Sequence, residues 1–437
     1  MTRLQNTALG GCFLAIVLTA TTAAAVEVGD WVAVQKDASL VASGRPVDRL
    51  LPGQVLQVLV VDQGRIWVSR GRPGWLDAGN VVPIAQAEQF FTQSLGIRQG
   101  PRGYLARGRV RLATGKVAEA MGDLRRAAEL SGRDAEFLQS LGFGYLASGD
   151  QAAAIRQFSA AIAKQPKSPL GWMGRGFAYA ESGQVQRAQA DYNKAISLDP
   201  RHAFPRKHLA VLFHEAGRPE DARKMLEKAI ELDTHDGFAR KAMGRVLFDL
   251  GQLNAARDSF TIALQLDSDD REALTGRGVV RHAIGDLPGA IADYTAAADD
   301  APETADNAFL WSNLGQAQME AGQLQAALVH LDRAVGLDPK FTDARAHRAL
   351  LFATHPEVAG SAGEAIQRAA ADAAAITAVA PPESFWALRA LAAVRAAEGD
   401  QAAAVELQQQ AVEEVKRSGP ARFVQPASDA LKRYQGE

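Results

Sequence analysis

Small and bulky apolar residues recur with a period of 34 residues along most of this chain. One series places glycine at the same point of successive copies: Gly108, Gly142, Gly176, Gly244 and Gly278, with Ala210 in the gap. A second glycine series lies seven residues further on: Gly115, Gly149, Gly183, Gly217, Gly251 and Gly285. Two alanine series follow, and between them is a bulky position: Leu124, Phe158, Tyr192, Leu226, Phe260 and Tyr294. The pattern predicts one structural unit that is copied many times.

Each copy has the composition of a helix hairpin. Small side chains at the first glycine and at the two alanines allow two helices to approach closely where they cross. The second glycine suits the end of the first helix, because a left-handed backbone costs glycine least. Proline closes several copies, at Pro166, Pro200 and Pro302, since it cannot continue the second helix. No hairpin buries its apolar face alone, so we expect the copies to stack into a solenoid.

The pattern resembles the tetratricopeptide repeat (TPR) family over residues 101–415. The resemblance implies a mainly α-helical protein, a right-handed superhelix of about nine helix hairpins that becomes irregular after residue 342. We predict an N-terminal capping helix in residues 84–100 and a C-terminal capping helix in residues 416–437. In this family the first helices line a concave surface that binds a protein or a peptide.

In residues 26–83 the hydrophobic pattern is not the 34-residue repeat. Short β-rich runs separated by Gly and Pro turns are typical of a small β-barrel. Leu-Pro-Gly at 51–53, followed by Trp67 and by Gly-Trp-Leu at 74–76, resembles bacterial Src-homology-3-like domains of exported proteins. That resemblance implies peptide binding, cell-wall binding or packing against another domain. Trp31, Trp67 and Trp75 either form a recognition surface or fill the core of the barrel.

The first 25 residues have the pattern of a secretory signal peptide. Their apolar centre is Phe13–Leu18, and Ala23 and Ala25 suit cleavage before Val26. The alternative is an uncleaved leader that stays as a membrane anchor, because the uncharged run nearly reaches spanning length. After cleavage no cysteine remains, since Cys12 is the only one. We expect an exported protein, in the periplasm or cell envelope, that meets the membrane only if the leader is uncleaved.

Charge and motifs argue against nucleic-acid binding and catalysis. The formal net charge of -2 offers no electrostatic attraction to nucleic acid. The sequence has no GxSxG elbow, no HExxH motif and no Walker A loop. His202, His208 and His214 step by six residues, so successive ones fall on different helix faces and no metal site is predicted. We expect no enzymatic activity, no catalytic residues and no cofactor.

The inner surface is the candidate binding site. Under the TPR resemblance, the second, fifth, ninth and twelfth positions of each repeat share the exposed face of the first helix. In the middle repeats these positions and their neighbours combine aromatic and basic side chains: Phe177, Phe204, Lys207, His214, Phe238, Lys241, Arg245, Phe248 and His282. Aromatic rings supply contact area and cations orient an anion, so we predict a peptide that is acidic or has a free carboxylate. The alternative is an ordinary mixed-charge helix face without a dedicated ligand.

Some TPR proteins clamp a C-terminal carboxylate with Lys and Asn. This chain has Val211 and Arg245 at the positions where that clamp has Asn, so we do not predict a carboxylate clamp of this kind here. The sequence favours an exported, non-enzymatic scaffold that binds a peptide or partner protein in the concave groove. The alternative is a cell-envelope adaptor whose N-terminal barrel binds cell-wall glycan or peptide, with the repeats as a spacer.

Overall fold

The computed structural model of this protein describes residues 26–28, 30–69, 72–299, 301, 303–379, 384–418 and 421–436. The predicted signal peptide, residues 1–25, lies outside these ranges. The chain divides into two compact units. The N-terminal unit ends at Leu212 and also includes residues 228–235, whereas the C-terminal unit comprises residues 213–227 and the chain from residue 236 onwards.

Short antiparallel strands form the N-terminal β-domain. Its strands are β1 (Trp31–Val34), β2 (Ala38–Ala42), β3 (Arg45–Leu50), β4 (Val55–Gln57), β5 (Val60–Asp62), β6 (Arg65–Ser69), β7 (Pro73–Asp77) and β8 (Val81–Pro83). They make a three-stranded sheet in the order β4-β1-β8 and a five-stranded sheet in the order β3-β2-β7-β6-β5. The predicted β-domain is confirmed, but the sheets do not close into a barrel. Among the described residues β3 and β5 stay at the edges of the larger sheet, so no continuous ring of hydrogen bonds forms.

The core of the β-domain is aliphatic. Its buried side chains are Val32, Val34, Leu40, Leu50, Leu56, Val58, Ile66, Val68, Leu76 and Val81. Branched side chains of this kind pack well between pleated sheets. The three tryptophans are not part of this core, which differs from the expectation that they would fill it.

Helices make up the rest of the described chain. The first is α1 (Ile84–Ile97), and it is followed by nine consecutive pairs within the described ranges. These are α2 (Pro101–Ala113) with α3 (Val117–Leu130), α4 (Ala135–Ala147) with α5 (Gln151–Lys164), α6 (Pro169–Glu181) with α7 (Val185–Leu198), α8 (Phe204–Glu215) with α9 (Pro219–Leu232), α10 (Gly237–Asp249) with α11 (Leu253–Leu266), α12 (Arg271–Ile284) with α13 (Leu287–Ala298), α14 (Ala308–Glu320) with α15 (Leu324–Leu337), α16 (Thr342–Thr354) with α17 (Ala362–Val379), and α18 (Phe385–Ala397) with α19 (Gln401–Ser418). A short 3-10 turn, Ala421–Phe423, leads into the last helix, α20 (Val424–Gln435).

The first glycine of each repeat lies where the two helices of a pair cross. A Cβ atom on Gly142 would stand 2.8 Å from the ring of Phe158, which is closer than a real contact. The same ring meets the following repeat, because a Cβ on Gly174 would lie 2.3 Å from it. Phe260 is held in the same way between Gly244 and Gly276, with Cβ distances of 2.7 and 2.5 Å. Each bulky side chain therefore fills the space inside its own pair and also the space between neighbouring pairs.

The second glycine of each repeat has a left-handed backbone. The φ angle is 76° at Gly115, 69° at Gly217 and 87° at Gly285. Residues with a Cβ rarely adopt such angles, so glycine ends the first helix at the lowest cost. This prediction is confirmed.

First helices of neighbouring pairs contact each other within each unit. In the N-terminal unit α2 contacts α4 and α4 contacts α6, and in the C-terminal unit the contacts run from α10 through α12, α14 and α16 to α18. Second helices contact the first helix of the next pair, as α3 does with α4 and α11 with α12. First helices therefore lie next to each other within each unit.

The β-domain packs against several repeats of the N-terminal unit. Gly53 lies so close to the first repeat that a Cβ would stand 2.3 Å from the carbonyl oxygen of Ala106. Further along, Arg72 forms an ion pair with Asp199 after α7, and the Ser69 hydroxyl hydrogen-bonds to Asp233 after α9. The Trp67 ring lies 6.4 Å from the ring of His235. The small domain thus contacts the first, third and fourth repeats.

A buried ion pair recurs within the repeats and was not predicted. Arg on the first helix binds Asp on the second helix through two hydrogen bonds in three repeats: Arg107 with Asp123, Arg175 with Asp191, and Arg277 with Asp293. The Asp191 side chain is 7% exposed and the Arg175 side chain 19%. The second repeat has Leu141 and Gln157 at the two equivalent positions, so the pair is optional in this fold.

Removing one partner of this pair should destabilise the protein strongly. We expect Asp191→Ala to lower the free energy of unfolding by about 3 kcal/mol, because Arg175 would keep a buried charge without its carboxylate. The double variant Arg175→Leu, Asp191→Gln copies the second repeat and should recover most of the loss. Urea unfolding followed by circular dichroism measures both effects.

The matched control is the exposed pair Lys228–Glu231, in which both side chains are 62% exposed. Glu231→Ala should change the stability by less than about 1 kcal/mol. A double variant at Arg175 and Asp191 that is as unstable as Asp191→Ala would contradict the assignment of the loss to an unpaired charge.

Candidate peptide-binding site

In the N-terminal unit, the predicted groove residues Phe177 on α6 and Phe204 on α8 form an aromatic cluster with His208, which was not predicted. The ring centroids of Phe204 and His208 are 4.2 Å apart, and Phe177 lies 5.2 Å from His208 and 6.4 Å from Phe204. All three side chains are half-buried, so each retains exposed surface. Rings at these separations attract each other through edge-to-face contacts. We name Phe177, Phe204 and His208 the aromatic cluster.

Two further groove positions of the same unit carry exposed apolar side chains. Phe143 on α4 is 42% exposed, and its ring lies 5.1 Å from the buried ring of Phe158. Leu170 on α6 is 38% exposed. Exposed apolar groups on one surface are typical of an interaction site. Lys207, half-buried on α8, is the basic residue of the predicted set in this unit.

In the C-terminal unit the predicted cations are paired with acidic residues of the next repeat. The ammonium group of Lys241 lies 2.8 Å from carboxylate oxygens of Asp270 and Glu272, and Arg245 also pairs with Glu272. Burial opposes the charge of Lys241, but hydrogen bonds to the two carboxylates outweigh it and raise the pKa of Lys241. The positive charge predicted for the groove is therefore largely balanced here.

Three further predicted positions of this unit are His214, Phe238 and Phe248. Nε2 of His214 on α8 lies 2.5 Å from Asp249 Oδ2, and Phe238 and Phe248 are half-buried on α10. Along α10, Lys241 and Arg245 lie between the two phenylalanines in sequence.

His282, the last of the predicted groove residues, belongs to a buried polar site. Its Nε2 atom lies 3.2 Å from Glu320 Oε1, and Gln316 donates a hydrogen bond of 2.9 Å to the same oxygen. The other oxygen of Glu320 lies 3.1 Å from Nη2 of Arg422. Burial favours the neutral form of Glu320, but contacts with His282 and Arg422 outweigh it and lower the pKa of Glu320. Sequence reasoning missed this site.

Aromatic side chains surround Phe423, which lies next to Arg422 in the sequence. Its ring centroid lies 4.9 Å from Trp386 in an edge-on contact, 5.9 Å from Phe385 and 6.4 Å from His282. The guanidinium carbon of Arg422 lies 4.1 Å from the centre of the Phe423 ring. We name His282, Glu320, Phe385 and Trp386 the acid–aromatic pocket.

The three tryptophans of the β-domain differ in their surroundings. Trp67 and Trp75 are cross-strand neighbours with ring centroids 5.2 Å apart, and Arg65 lies over Trp75 at 4.9 Å. Trp67 also faces His235 of the repeats. Trp31 is 52% exposed at the start of β1. The structure does not bring the three rings together as one surface.

Within the described ranges, no group of three or more His, Cys, Asp or Glu side chains is arranged to hold a metal ion. None of the described helices combines the length and the apolar character that crossing a membrane requires.

Comparison with known proteins agrees with the repeat pattern. Residues 81–279 match the TPR region of the cilia and flagella-associated protein 70 C-terminal domain, and residues 312–376 match the tetratricopeptide repeat family. No curated protein matches this chain. Among solved structures, the APC/C hetero-tetramer Cut9-Hcn1 aligns with a TM-score of 0.50 and 16% identity over 80% of this chain. The alignment covers 59% of the matched chain in that structure, and at this level of identity the similarity supports the fold only.

Two further solved structures align with shorter parts of this chain. YrrB, a TPR protein with an unusual peptide-binding site, is 24% identical over 43% of this chain and 95% of its own, with a TM-score of 0.37. The pilF protein of Pseudomonas aeruginosa is 18% identical over 48% of this chain and 95% of its own, with a TM-score of 0.44.

The stacked hairpins and their crowded first helices define a helical-repeat solenoid of the kind used for protein–protein interaction. The kind of repeat is identified by three observations: the glycines at the helix crossings, the left-handed glycines at the helix ends and the two family matches. It is a tetratricopeptide repeat protein with an N-terminal β-domain.

His347 should make the stability of the protein dependent on pH. It is 3% exposed on α16, its Nδ1 lies 3.0 Å from the Ser312 hydroxyl, and burial lowers the pKa of His347 to about 3. Among charged groups that act on it, Glu320 favours protonation, whereas His282 and Arg389 oppose it.

The unfolded chain takes up a proton at His347 below about pH 6.5, while the folded chain does not, so stability is present above that pH and is lost as pH falls. We expect acidification from pH 7.5 to 5.5 to cost about 1 kcal/mol through this residue. His347→Gln should remove that part of the loss in melting experiments, and His355→Gln, at an exposed histidine, should retain it. An identical loss in His347→Gln and the unaltered protein would contradict the assignment.

Proposed function

We propose that this protein is a non-enzymatic scaffold that binds a peptide or a partner protein on the inner surface of its N-terminal repeats. The observation that carries the proposal is the aromatic cluster of Phe177, Phe204 and His208 on adjacent first helices. Rigid rings with exposed surface provide contact area at a small cost in conformational entropy. Phe143 and Leu170 add exposed apolar surface in the same unit.

The proposed ligand has apolar side chains and a carboxylate. Lys207 precedes His208 on α8, where a positive charge can orient an acidic side chain or a free C-terminus. In the C-terminal unit, Lys241 and Arg245 pair with Glu272. A carboxylate that binds there has to displace an acidic side chain of the protein itself.

Export is part of the proposal. It rests on the apolar leader in residues 1–25, with small residues before Val26. In the periplasm or cell envelope such a scaffold would hold other exported proteins together. Amino-terminal sequencing of the protein from its native cell checks this part independently.

A second function is supported by the exposed Trp31 of the β-domain. An exposed indole can stack on a sugar ring or a peptide, which fits an adaptor that binds cell-wall glycan or peptide with the repeats as a spacer. Full-length protein should then sediment with purified cell wall, and Trp31→Ala should abolish sedimentation while leaving peptide binding on the repeats intact. Equal sedimentation of Trp31→Ala would remove this function.

Substitutions in the aromatic cluster should abolish peptide binding. Peptides selected from a random displayed library on the full-length protein serve as probes, and fluorescence anisotropy gives their Kd. We expect Phe177→Ser with Phe204→Ser to weaken binding by at least about tenfold, a loss of about 1.4 kcal/mol, because both rings leave the contact surface. Lys207→Glu should weaken binding of peptides with a carboxylate specifically.

The matched control for the rings is Phe309→Ser, because Phe309 is 49% exposed on a first helix of the C-terminal unit. The control for charge is Lys224→Glu on the second helix α9. Both controls should leave the Kd unchanged. Full binding by a folded Phe177→Ser, Phe204→Ser protein would refute the location of the site.

A further inference from the structure

The acid–aromatic pocket contains a short piece of the chain itself. It is built by α12, α14 and α18, three first helices of the C-terminal unit, and it holds Arg422 and Phe423. We propose that this pocket is a second binding site, specific for a partner segment in which arginine precedes an aromatic residue. The chain's own Arg422 and Phe423 occupy it until such a segment replaces them.

The acidic half of the pocket is preorganised for a guanidinium group. Gln316 and His282 contact Oε1 of Glu320, which leaves Oε2 directed at Arg422. The side chains of Glu320 and Arg422 are both about one fifth exposed, with 19% and 20%. A neutral or acidic residue at this position would leave the carboxylate of Glu320 without its cation, so the pocket discriminates against such a residue.

The aromatic half selects the next residue. Trp386, Phe385 and His282 surround the Phe423 ring, which is 7% exposed. Arg422 lies over the same ring at 4.1 Å, so the two side chains form one recognised unit through a cation–π contact. A segment with an aliphatic side chain in place of Phe423 would lose these ring contacts.

Phe423 also packs against Ala411, Val412 and Ala427, so a partner segment has to displace a residue that belongs to a local core. Ala421–Phe423 is a single 3-10 turn between two helices, and the helix after it has anchors of its own. Gln408 donates a hydrogen bond of 2.9 Å to the carbonyl oxygen of Ala427, and Gln401 bonds to the carbonyl oxygen of Tyr434. Nε of Arg422 is buried without a hydrogen-bond partner, so the resident arginine does not use all its donors.

This site is distinct from the aromatic cluster of the proposed function and prefers the opposite charge. A basic-aromatic segment fits the C-terminal unit, and an apolar segment with a carboxylate fits the N-terminal unit. The two proposals can therefore fail separately.

The test uses the full chain with the resident side chains removed, Arg422→Ser with Phe423→Ser, so that α20 and its anchors stay. The probe is a fluorescein-labelled synthetic peptide, Ala-Arg-Phe-Val-Gln-Pro, the sequence of residues 421–426. We expect this emptied protein to bind the probe with a Kd of about 10 µM and the unaltered protein to bind at least about tenfold more weakly, because its pocket is filled. Adding Glu320→Gln to the emptied protein should weaken binding about tenfold.

Two probes test specificity. A peptide with Arg422→Gln and one with Phe423→Leu should each bind about tenfold more weakly than the original. Phe177→Ser with Phe204→Ser should leave probe binding unchanged, which separates this site from the first. The proposal is overturned if a folded emptied protein does not bind the probe, or binds it equally with Glu320→Gln.

If the emptied protein does not fold, a milder variant replaces it. Arg422→Gln with Phe423→Leu removes the charge and the aromatic ring but keeps most of the buried volume. We expect this variant to bind the probe with the affinity given for the emptied protein. Failure of the folded variant to bind, or equal binding after Glu320→Gln is added, would overturn the proposal.

Discussion

The close approach of two helices at a glycine is the contact on which the rest of this molecule depends. At the crossings that have a glycine, a ring or a leucine from the second helix packs against the position of the missing Cβ, as Phe158 does against Gly142 and Gly174. One side chain thus sets both the angle within a pair and the spacing to the next pair. First helices of neighbouring pairs contact each other within each unit, so their exposed positions come close together in that unit. The candidate sites in the repeats are built from these helices.

The repeat pattern was enough to predict the helical fold, because each position in it answers a local steric need that recurs in every copy. The β-rich character of residues 26–83 was also predictable, but not the separation of its sheets, which depends on how edge strands pair. The position of the aromatic rings on first helices followed from the same spacing. The acidic partners of the basic groove residues could not be predicted from the spacing. Lys241 pairs with Asp270 and Glu272 of another repeat, and only the tertiary structure brings these residues together.

The site around Glu320 could not be predicted from the sequence either, because its residues come together only in the tertiary structure. Arg422 and Phe423 lie outside the repeat frame, and nothing in their local sequence indicates that they reach helices from Arg271 onwards. The buried pairs such as Arg175–Asp191 do have a sequence signal, an Arg and an Asp 16 residues apart at equivalent points of three repeats. Comparing the copies of the repeat with one another is enough to find this spacing.

The contacts of the β-domain change how the N-terminal repeats lose their structure. A linear stack normally frays from its ends, because each hairpin is held only by its immediate neighbours. Here Gly53, Arg72 and Ser69 contact Ala106, Asp199 and Asp233, which belong to the first, third and fourth hairpins. Since one small domain is bound to all three hairpins, we expect them to open together as one cooperative block and not one by one.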